Sequence, residues 1–172
     1  MSATLRLYHA EPTGAPFEAT VIAHDTFQGR ASVLLDRTGF YPESGGQMAD
    51  RGRLGEAELA DVQVDDADRV HHVLAEGAAL PAVGAVLTGP PDRVRRRVHQ
   101  ALHTGQHMLS RALVDVAGAE TISSRLGETA CTIDTPTEVL REVDVARAEA
   151  LVNEVVDADV AVRAFFPDPD TL

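Results

Sequence analysis

The sequence predicts an α+β protein, because short strands fill its first half, and two amphipathic helices with further strands follow. Between residues 5 and 88, short β-branched or alternating runs are separated by Gly, Pro and Asp, a pattern typical of a small barrel or sandwich. Helical periodicity begins only after the GPPDR stretch at 89–93. We therefore predict two domains, 1–90 and 91–172.

The individual elements follow from periodicity and from end signals. The strands expected in the first half are 5–8, 19–24, 31–35, 59–64, 70–74 and 83–88. A helix is predicted over 93–117, with Asp92 as its N-cap and Gly118 as its stop. Two short strands around Gly127 and a second helix over 144–156, capped by Asp144, come next. The last expected strand contains the alternating apolar residues Val160, Val162, Ala164 and Phe166. Helices packed on an antiparallel sheet are the layer arrangement that this order favours.

Composition excludes several classes of protein. The chain has 172 residues, 44% of them hydrophobic, and no apolar run approaches the roughly 20 residues that a membrane helix needs. The N-terminus lacks the features of a signal peptide, so a cytoplasmic location without membrane association is expected. The single cysteine, Cys131, cannot form an internal disulfide and is interpreted as a core strand residue. A metal ion would depend on His and carboxylate ligands.

Charge gives two opposing indications about nucleic acid. The formal net charge of −12 argues against nucleic-acid binding, which normally needs a basic surface. However, Arg93, Arg95, Arg96 and Arg97 lie together directly before a pair of histidines. They could form a local positive patch or simply a solvated helical turn.

The histidine pair, His103 and His107 in HTGQH, is the most informative feature of the predicted helix. Residues four apart lie on the same face of a helix, so two imidazoles there can ligate one ion. The apolar residues of the helix are expected on the opposite side: Val94, Val98, Ala101, Leu102, Leu109, Ala112 and Val116. The alternative interpretation is a solvated polar face. The remaining histidines considered, His9, His24, His71 and His72, are expected at the surface.

A second informative stretch is DRTGFYPESGGQMADRGR at 36–53. Its glycines, including Gly45 and Gly46, allow the backbone to approach a ligand closely. Thr38, Ser44 and Gln47 supply hydrogen-bonding side chains. A long β-hairpin connection anchored by aromatic residues is the alternative.

Four segments in order, FYPESGGQMADRG, RRRVHQALHTGQHMLS, SSRLGETACTID and ALVNEVV, resemble the editing domain of alanyl-tRNA synthetase and the free-standing AlaX-type editing proteins. The resemblance covers almost all of the chain. It implies a small N-terminal β-barrel, carrying the glycine-rich loop, packed on an α+β editing core with an antiparallel sheet and helices. That core is shared with threonyl-tRNA synthetase.

The resemblance also implies a function: hydrolysis of the ester in tRNA(Ala) that carries a wrong amino acid, usually serine and sometimes glycine. His103 and His107 match two zinc ligands. Thr38 matches the threonine to which recognition of the serine hydroxyl is attributed, and Gln47 matches a glutamine that orients the aminoacyl group or the attacking water. Together with Ser44, Gly45 and Gly46 they would form the substrate site.

Further partners and ligands follow from the same family pattern. The four arginines at 93–97 would hold phosphates of the acceptor end. The remaining zinc ligands of the family, a Cys and a His, belong to a later segment, so we expect the second domain to be C-terminally incomplete. The alternative function is a non-catalytic module that binds tRNA or aminoacyl-adenosine.

Overall fold

The computed structural model describes residues 4–163 and confirms the α+β fold class. The strands of the first half are β1 (Leu5–Arg6), β2 (Phe17–Phe27), β3 (Arg30–Leu35), β4 (Arg37–Thr38), β5 (Gly52–Leu54), β6 (Ala57–Val64), β7 (Val70–Leu74) and β8 (Val86–Gly89). A single 3-10 turn, Leu7–His9, follows β1. The second half contains α1 (Arg93–Ala117), β9 (Ser123–Leu126), β10 (Cys131–Asp134) and α2 (Glu142–Asp157).

Six of the strands form one antiparallel sheet in the order β5-β6-β7-β3-β2-β8. The two edge strands approach each other, because the Gly55 N–H donates to the Thr88 carbonyl at 2.9 Å and Gly52 forms a bridge with Pro91. The sheet is therefore nearly closed into a barrel, which removes most of its exposed edge. A separate parallel pair joins β1 to β4.

The turn between β2 and β3 explains why this part of the chain folds as a hairpin. Gln28 and Gly29 both have positive φ, at 50° and 77°. Two successive residues of this kind form the turn whose twist matches that of paired strands. The inward side chains of the barrel strands make an apolar core with Val33, Leu35, Phe40, Leu59 and Val62.

The helix α1 has the predicted bounds, and both end signals act as predicted. The Asp92 carboxylate accepts the N–H groups of Val94 and Arg95, each at 3.0 Å. Gly118 adopts φ 62°, and its N–H donates to the Val114 carbonyl at 2.9 Å. Local chemistry is sufficient to place both ends of this helix.

The buried face of α1 differs from the prediction in its first half. Val94 and Val98 are exposed, whereas Arg96 and His99 are buried. The predicted apolar stripe is therefore wrong for these turns, although Ala112, further along, is buried in an apolar cluster with Leu113. The reason is that polar groups from another part of the chain pack on the first half of the helix.

Contacts group the chain into two compact units, and the division falls within α1. Among the described residues, the first unit contains those up to Thr104 together with Ser124–Thr132, and the second contains Gly105–Ser123 and those from Ile133. The boundary expected near residue 90 stays a prediction. In the second unit, Ala112, Leu113, Ala119 and Ala148 form a small apolar core.

Three details of the second half differ from the sequence-based predictions. Asp144 does not cap α2, which begins at Glu142; its carboxylate instead accepts two hydrogen bonds from Arg141, at 2.6 and 2.8 Å. Residues 160–163 form no strand, and Ala164 and Phe166 lie outside the described residues. Cys131 is half-buried rather than a core residue.

Within residues 4–163, neither helix has the length and apolar character required to cross a lipid bilayer.

Candidate functional site: the glycine-rich loop and helix α1

The glycine-rich loop, residues 41–50, is closed at its base by Tyr41 and Asp50. The Asp50 N–H donates to the Tyr41 carbonyl at 2.9 Å, and the Tyr41 N–H donates to the Asp50 carboxylate at 2.7 Å. These two bonds join the ends of the loop. The loop is therefore a compact unit with a fixed base, not an extended hairpin connection.

Arg96 of α1 holds this base from the side of the helix. Its Nε donates to both carboxylate oxygens of Asp50, at 2.9 and 3.0 Å. Its other nitrogens donate to the carbonyls of Gly39 at 2.7 Å and Pro12 at 2.9 Å. A planar guanidinium can satisfy several fixed acceptors at once, so one side chain ties the loop base to the helix.

The tip of the loop is a tight turn at Gly45 and Gly46. Ser44 and Gln47 exchange backbone hydrogen bonds of 3.1 and 2.9 Å, and the two glycines have φ values of 58° and 80°. Both values lie in the left-handed region, which glycine adopts without strain. The turn leaves the two glycine N–H groups outside its own hydrogen bonds, and Ser44, Gly45 and Gly46 are exposed.

The segment around β9 supports the tip from its other side. The Leu126 N–H donates to the Gly46 carbonyl at 3.1 Å. Glu128, in the turn after β9, forms ion pairs of 3.2 Å with Arg51 and with Arg95. Arg95 also donates to the Ala49 carbonyl at 3.1 Å. Three of the four segments that carry the resemblance therefore meet at the glycine-rich loop.

Gln47 and His103 connect the loop to the histidine pair. His103 Nδ1 lies 2.9 Å from Gln47 Oε1, within hydrogen-bond distance. An amide oxygen only accepts, so Nδ1 carries the hydrogen and the lone pair lies on Nε2. This tautomer is the one that can coordinate a metal or accept a proton through Nε2.

His107 lies one helical turn after His103 and is exposed, whereas His103 is half-buried. Among the residues that the structure describes, no group of three or more His, Cys, Asp or Glu side chains is placed to share a metal ion. The fixed tautomer of His103 fits the role of a zinc ligand. Its pairing with His107 at a metal stays a prediction.

His99 belongs to the same surroundings, although no sequence pattern predicted it as a site residue. It is 1% exposed, and within residues 4–163 neither ring nitrogen has a hydrogen-bond partner. Burial is the main cause that lowers the pKa of His99, and the positive charge of Arg95 lowers it further. The backbone of Met48 lies close enough to oppose this shift, although it is not placed to form a hydrogen bond with the ring. Its position four residues before His103 could have indicated that it faces the loop.

Thr38 lies inside the barrel and not on an exposed surface. It is 0% exposed, and its hydroxyl is 2.7 Å from Nε2 of His72, which is also 0% exposed. His71 is buried as well, with Nδ1 3.0 Å from the Ser32 hydroxyl. The expectation that His71 and His72 lie at the surface is therefore wrong, because Ser32 and Thr38 satisfy them internally. His9 and His24 are exposed as expected.

The four arginines of the predicted phosphate site have different surroundings. Arg96 is buried and fully engaged with Asp50 and two carbonyls, which corrects its assignment to a phosphate-binding surface. Most of Arg95 is covered, since its side chain is 11% exposed. Arg93 and Arg97 are exposed. They line a cleft of about 530 Å³ with Thr13, Val94, Val98 and Gln100.

Comparison with known proteins gives alanine–tRNA ligases as relatives, while no protein-family model matches the chain. The ligase of Haloquadratum walsbyi is 31% identical over 174 residues, which cover 96% of this chain. The ligase of Pyrobaculum neutrophilum is 37% identical over 177 residues and 94% of this chain. That of Methanothrix thermoacetophila is 41% identical over 119 residues, 67% of this chain.

The matched region is a limited part of each relative. It spans 18% of the length of the Haloquadratum and Pyrobaculum ligases and 12% of the Methanothrix ligase. Over about 95% of its length the chain is therefore a homologue of one segment of the alanine–tRNA ligases, which confirms the resemblance to alanyl-tRNA synthetase.

Proposed function

We propose that the chain is an aminoacyl-tRNA deacylase that removes a wrong amino acid, serine in the first place, from tRNA(Ala). The observation that carries the proposal is the hydrogen bond between Gln47 and His103, which joins the glycine-rich loop to the histidine helix. Homology to alanine–tRNA ligases supports tRNA(Ala) as the partner. A second hydrolytic site is useful to such enzymes, because a pocket built for alanine rejects glycine and serine incompletely.

The reaction would break the ester between the amino acid and a ribose hydroxyl of the terminal adenosine. Water adds to the carbonyl carbon and loses a proton, and the carbonyl oxygen becomes an oxyanion. The carbonyl double bond then re-forms as the bond to the ribose oxygen breaks, and that oxygen takes up a proton and leaves as a hydroxyl. The N–H groups of Gly45 and Gly46, at the exposed tip of the loop, are suitable donors to that oxyanion. Gln47 would keep the His103 ring in one orientation throughout.

A zinc ion is the cofactor that we propose for this site. His103 and His107 would hold it, and a bound zinc ion lowers the pKa of water and polarises a carbonyl group. The hydrogen bond from His103 Nδ1 to Gln47 resembles the outer-shell bonds that orient metal-binding histidines.

The exposed arginines provide a separate place for the acceptor end. Arg93 and Arg97 are one turn apart on α1, and they precede His103 by ten and six residues. At 1.5 Å per residue they would lie roughly 15 and 9 Å from His103 along the helix axis. We propose that they contact phosphates of the strand whose 3′ end carries the ester.

The test is release of serine from seryl-tRNA(Ala), measured with and without added zinc. We expect hydrolysis by the wild type, and in His103→Ala a loss at least as large as the roughly 10–100-fold that follows removal of a group that only orients a metal ligand. His24→Ala is the matched control, since His24 is exposed and distant in sequence from the helix. Equal rates in the wild type and His103→Ala would contradict the proposal.

A different result would favour the alternative function. Measurable binding of tRNA(Ala) with no release of serine at any zinc concentration would identify a non-catalytic binding module. The binding measurement should therefore accompany the hydrolysis assay.

A further inference from the structure

The buried pair of Thr38 and His72 lies directly before the glycine-rich loop. His72 Nδ1 is 3.2 Å from the Val33 carbonyl, and a carbonyl can only accept. The hydrogen is therefore on Nδ1, and Nε2 has the lone pair. It follows that the Thr38 hydroxyl donates its hydrogen to Nε2 across the 2.7 Å contact.

The Thr38 oxygen has a second partner in the chain itself. It accepts the N–H of Phe40 at 3.1 Å. The side chain thus fixes both its own orientation and the backbone two residues further on, as threonine commonly does in turns. Burial also lowers the pKa of His72 to about 4, which keeps the ring neutral and able to accept at neutral pH.

This local arrangement continues into the loop. The Gly39 carbonyl accepts from Arg96 at 2.7 Å, and Tyr41 forms the base of the loop with Asp50. Residues 38–41 are therefore held from two sides, by His72 inside the barrel and by Arg96 on α1. A change in the Thr38–His72 bond should be felt at the loop base.

We propose that His72 is a positioning residue for the deacylation, and that it acts through the buried Thr38 hydroxyl on the start of the glycine-rich loop. The inference rests on the proposed function for its catalytic part. Thr38 is 0% exposed and its hydrogen is already donated, so its contribution comes from the position of the loop and not from contact with a serine hydroxyl.

The first experiment measures the loop directly and needs no activity. Hydrogen–deuterium exchange is followed for the amides of residues 39–50 in the wild type, Thr38→Val, His72→Phe and His72→Gln. We expect exchange about tenfold faster in Thr38→Val and His72→Phe, because each substitution removes one member of the buried hydrogen bond and leaves the other without its partner. His72→Gln retains an acceptor oxygen and should stay near the wild type.

A matched control is available in the same barrel. Ser32 and His71 form another buried hydroxyl–imidazole pair, with 3.0 Å between Oγ and Nδ1, on the strands β3 and β7. Ser32→Ala removes this bond, and we expect no change in the exchange of residues 39–50. Unchanged exchange in Thr38→Val, or an equal effect of Ser32→Ala, would overturn the inference whether or not the protein is a deacylase.

The second experiment separates positioning from direct recognition. The ratio kcat/KM is measured for seryl-tRNA(Ala) and glycyl-tRNA(Ala), since glycine has no hydroxyl to be recognised. A positioning role predicts that Thr38→Val lowers both values by a similar factor, about tenfold. A loss confined to the seryl substrate would overturn it and support direct contact. Absence of deacylation by the wild type would instead refute the proposed function and leave the exchange result to decide.

Discussion

The carboxylate of Asp50 and the guanidinium of Arg96 form a buried ion pair at the base of the glycine-rich loop. The two residues are 1% and 2% exposed, and Nε of Arg96 lies 2.9 and 3.0 Å from the two carboxylate oxygens. The same carboxylate accepts the Tyr41 N–H, and the same guanidinium donates to Gly39. One pair therefore links the two ends of the loop with helix α1.

Replacing Arg96 by methionine should strongly destabilise the protein. The change removes one partner of a buried pair and leaves the Asp50 charge without compensation, which typically costs about 3–5 kcal/mol. Urea unfolding at pH 7 measures the free energy of unfolding. Arg97→Met is the control, because Arg97 is exposed, and its effect should stay within about 0.5 kcal/mol. A similar small effect for Arg96→Met would show that the pair contributes little.

The two glycines at the tip of the loop should respond differently to alanine. A Cβ at Gly45 would have nothing within 4 Å, whereas a Cβ at Gly46 would lie 3.2 Å from the Ser124 carbonyl oxygen. Both substitutions cost about 1–2 kcal/mol because a non-glycine residue disfavours positive φ. Gly46→Ala should cost more, since the Ser124 carbonyl must also move.

The free energy of unfolding of the two variants provides this comparison, and the exchange rate of the Leu126 amide provides a local check. The Leu126 N–H donates to Gly46, so its exchange should accelerate in Gly46→Ala more than in Gly45→Ala. Equal effects of the two substitutions would mean that the contact with Ser124 imposes no constraint.

The sequence was sufficient for features whose causes are local. Helix α1 has its predicted bounds because Asp92 and Gly118 act on backbone groups within a few residues of themselves. The pair β9 and β10 likewise surrounds Gly127 as predicted. Gln47 was recognised as a site residue, but its bond to His103 joins positions 56 residues apart, and only the folded chain brings them together.

The errors concern buried polar residues whose partners are distant in sequence. The helical wheel places Arg96 opposite the predicted apolar side, but Asp50, 46 residues earlier, makes its burial favourable. His71 and His72, on strand β7, were also expected at the surface. Their partners, Ser32 and Thr38, lie 39 and 34 residues earlier, so periodicity contains no information about them.

The buried His72 should make the protein less stable as the pH falls below neutrality. Burial lowers its pKa from 6.5 to about 4, so the folded chain binds a proton less readily than the unfolded chain. The stabilisation is fully present above pH 6.5 and is lost as the pH falls towards 4. Linkage gives a loss of about 2 kcal/mol between pH 7 and pH 5.

The difference between the wild type and His72→Gln isolates this contribution. Glutamine does not titrate in this range, so the variant should lose about 2 kcal/mol less than the wild type between pH 7 and pH 5. His99, whose pKa burial also lowers, remains in both proteins and cancels in the comparison. Parallel pH profiles in urea unfolding would contradict the low pKa of His72.

The exposed arginines of α1 should control the salt dependence of tRNA binding. If Arg93 and Arg97 each contact one phosphate, Arg93→Gln and Arg97→Gln should each reduce the slope of log K against log salt by about 0.7–0.9. Binding of tRNA(Ala) that carries no amino acid, between about 50 and 200 mM salt, measures this slope. Arg30→Gln is the control, because Arg30 is also exposed but lies at the start of β3, next to the β2–β3 turn. The net charge of −12 should make all affinities weak, so the slope is a better measure than the affinity alone. Weaker binding with an unchanged slope would assign the two arginines a role in folding or shape and not in phosphate contact.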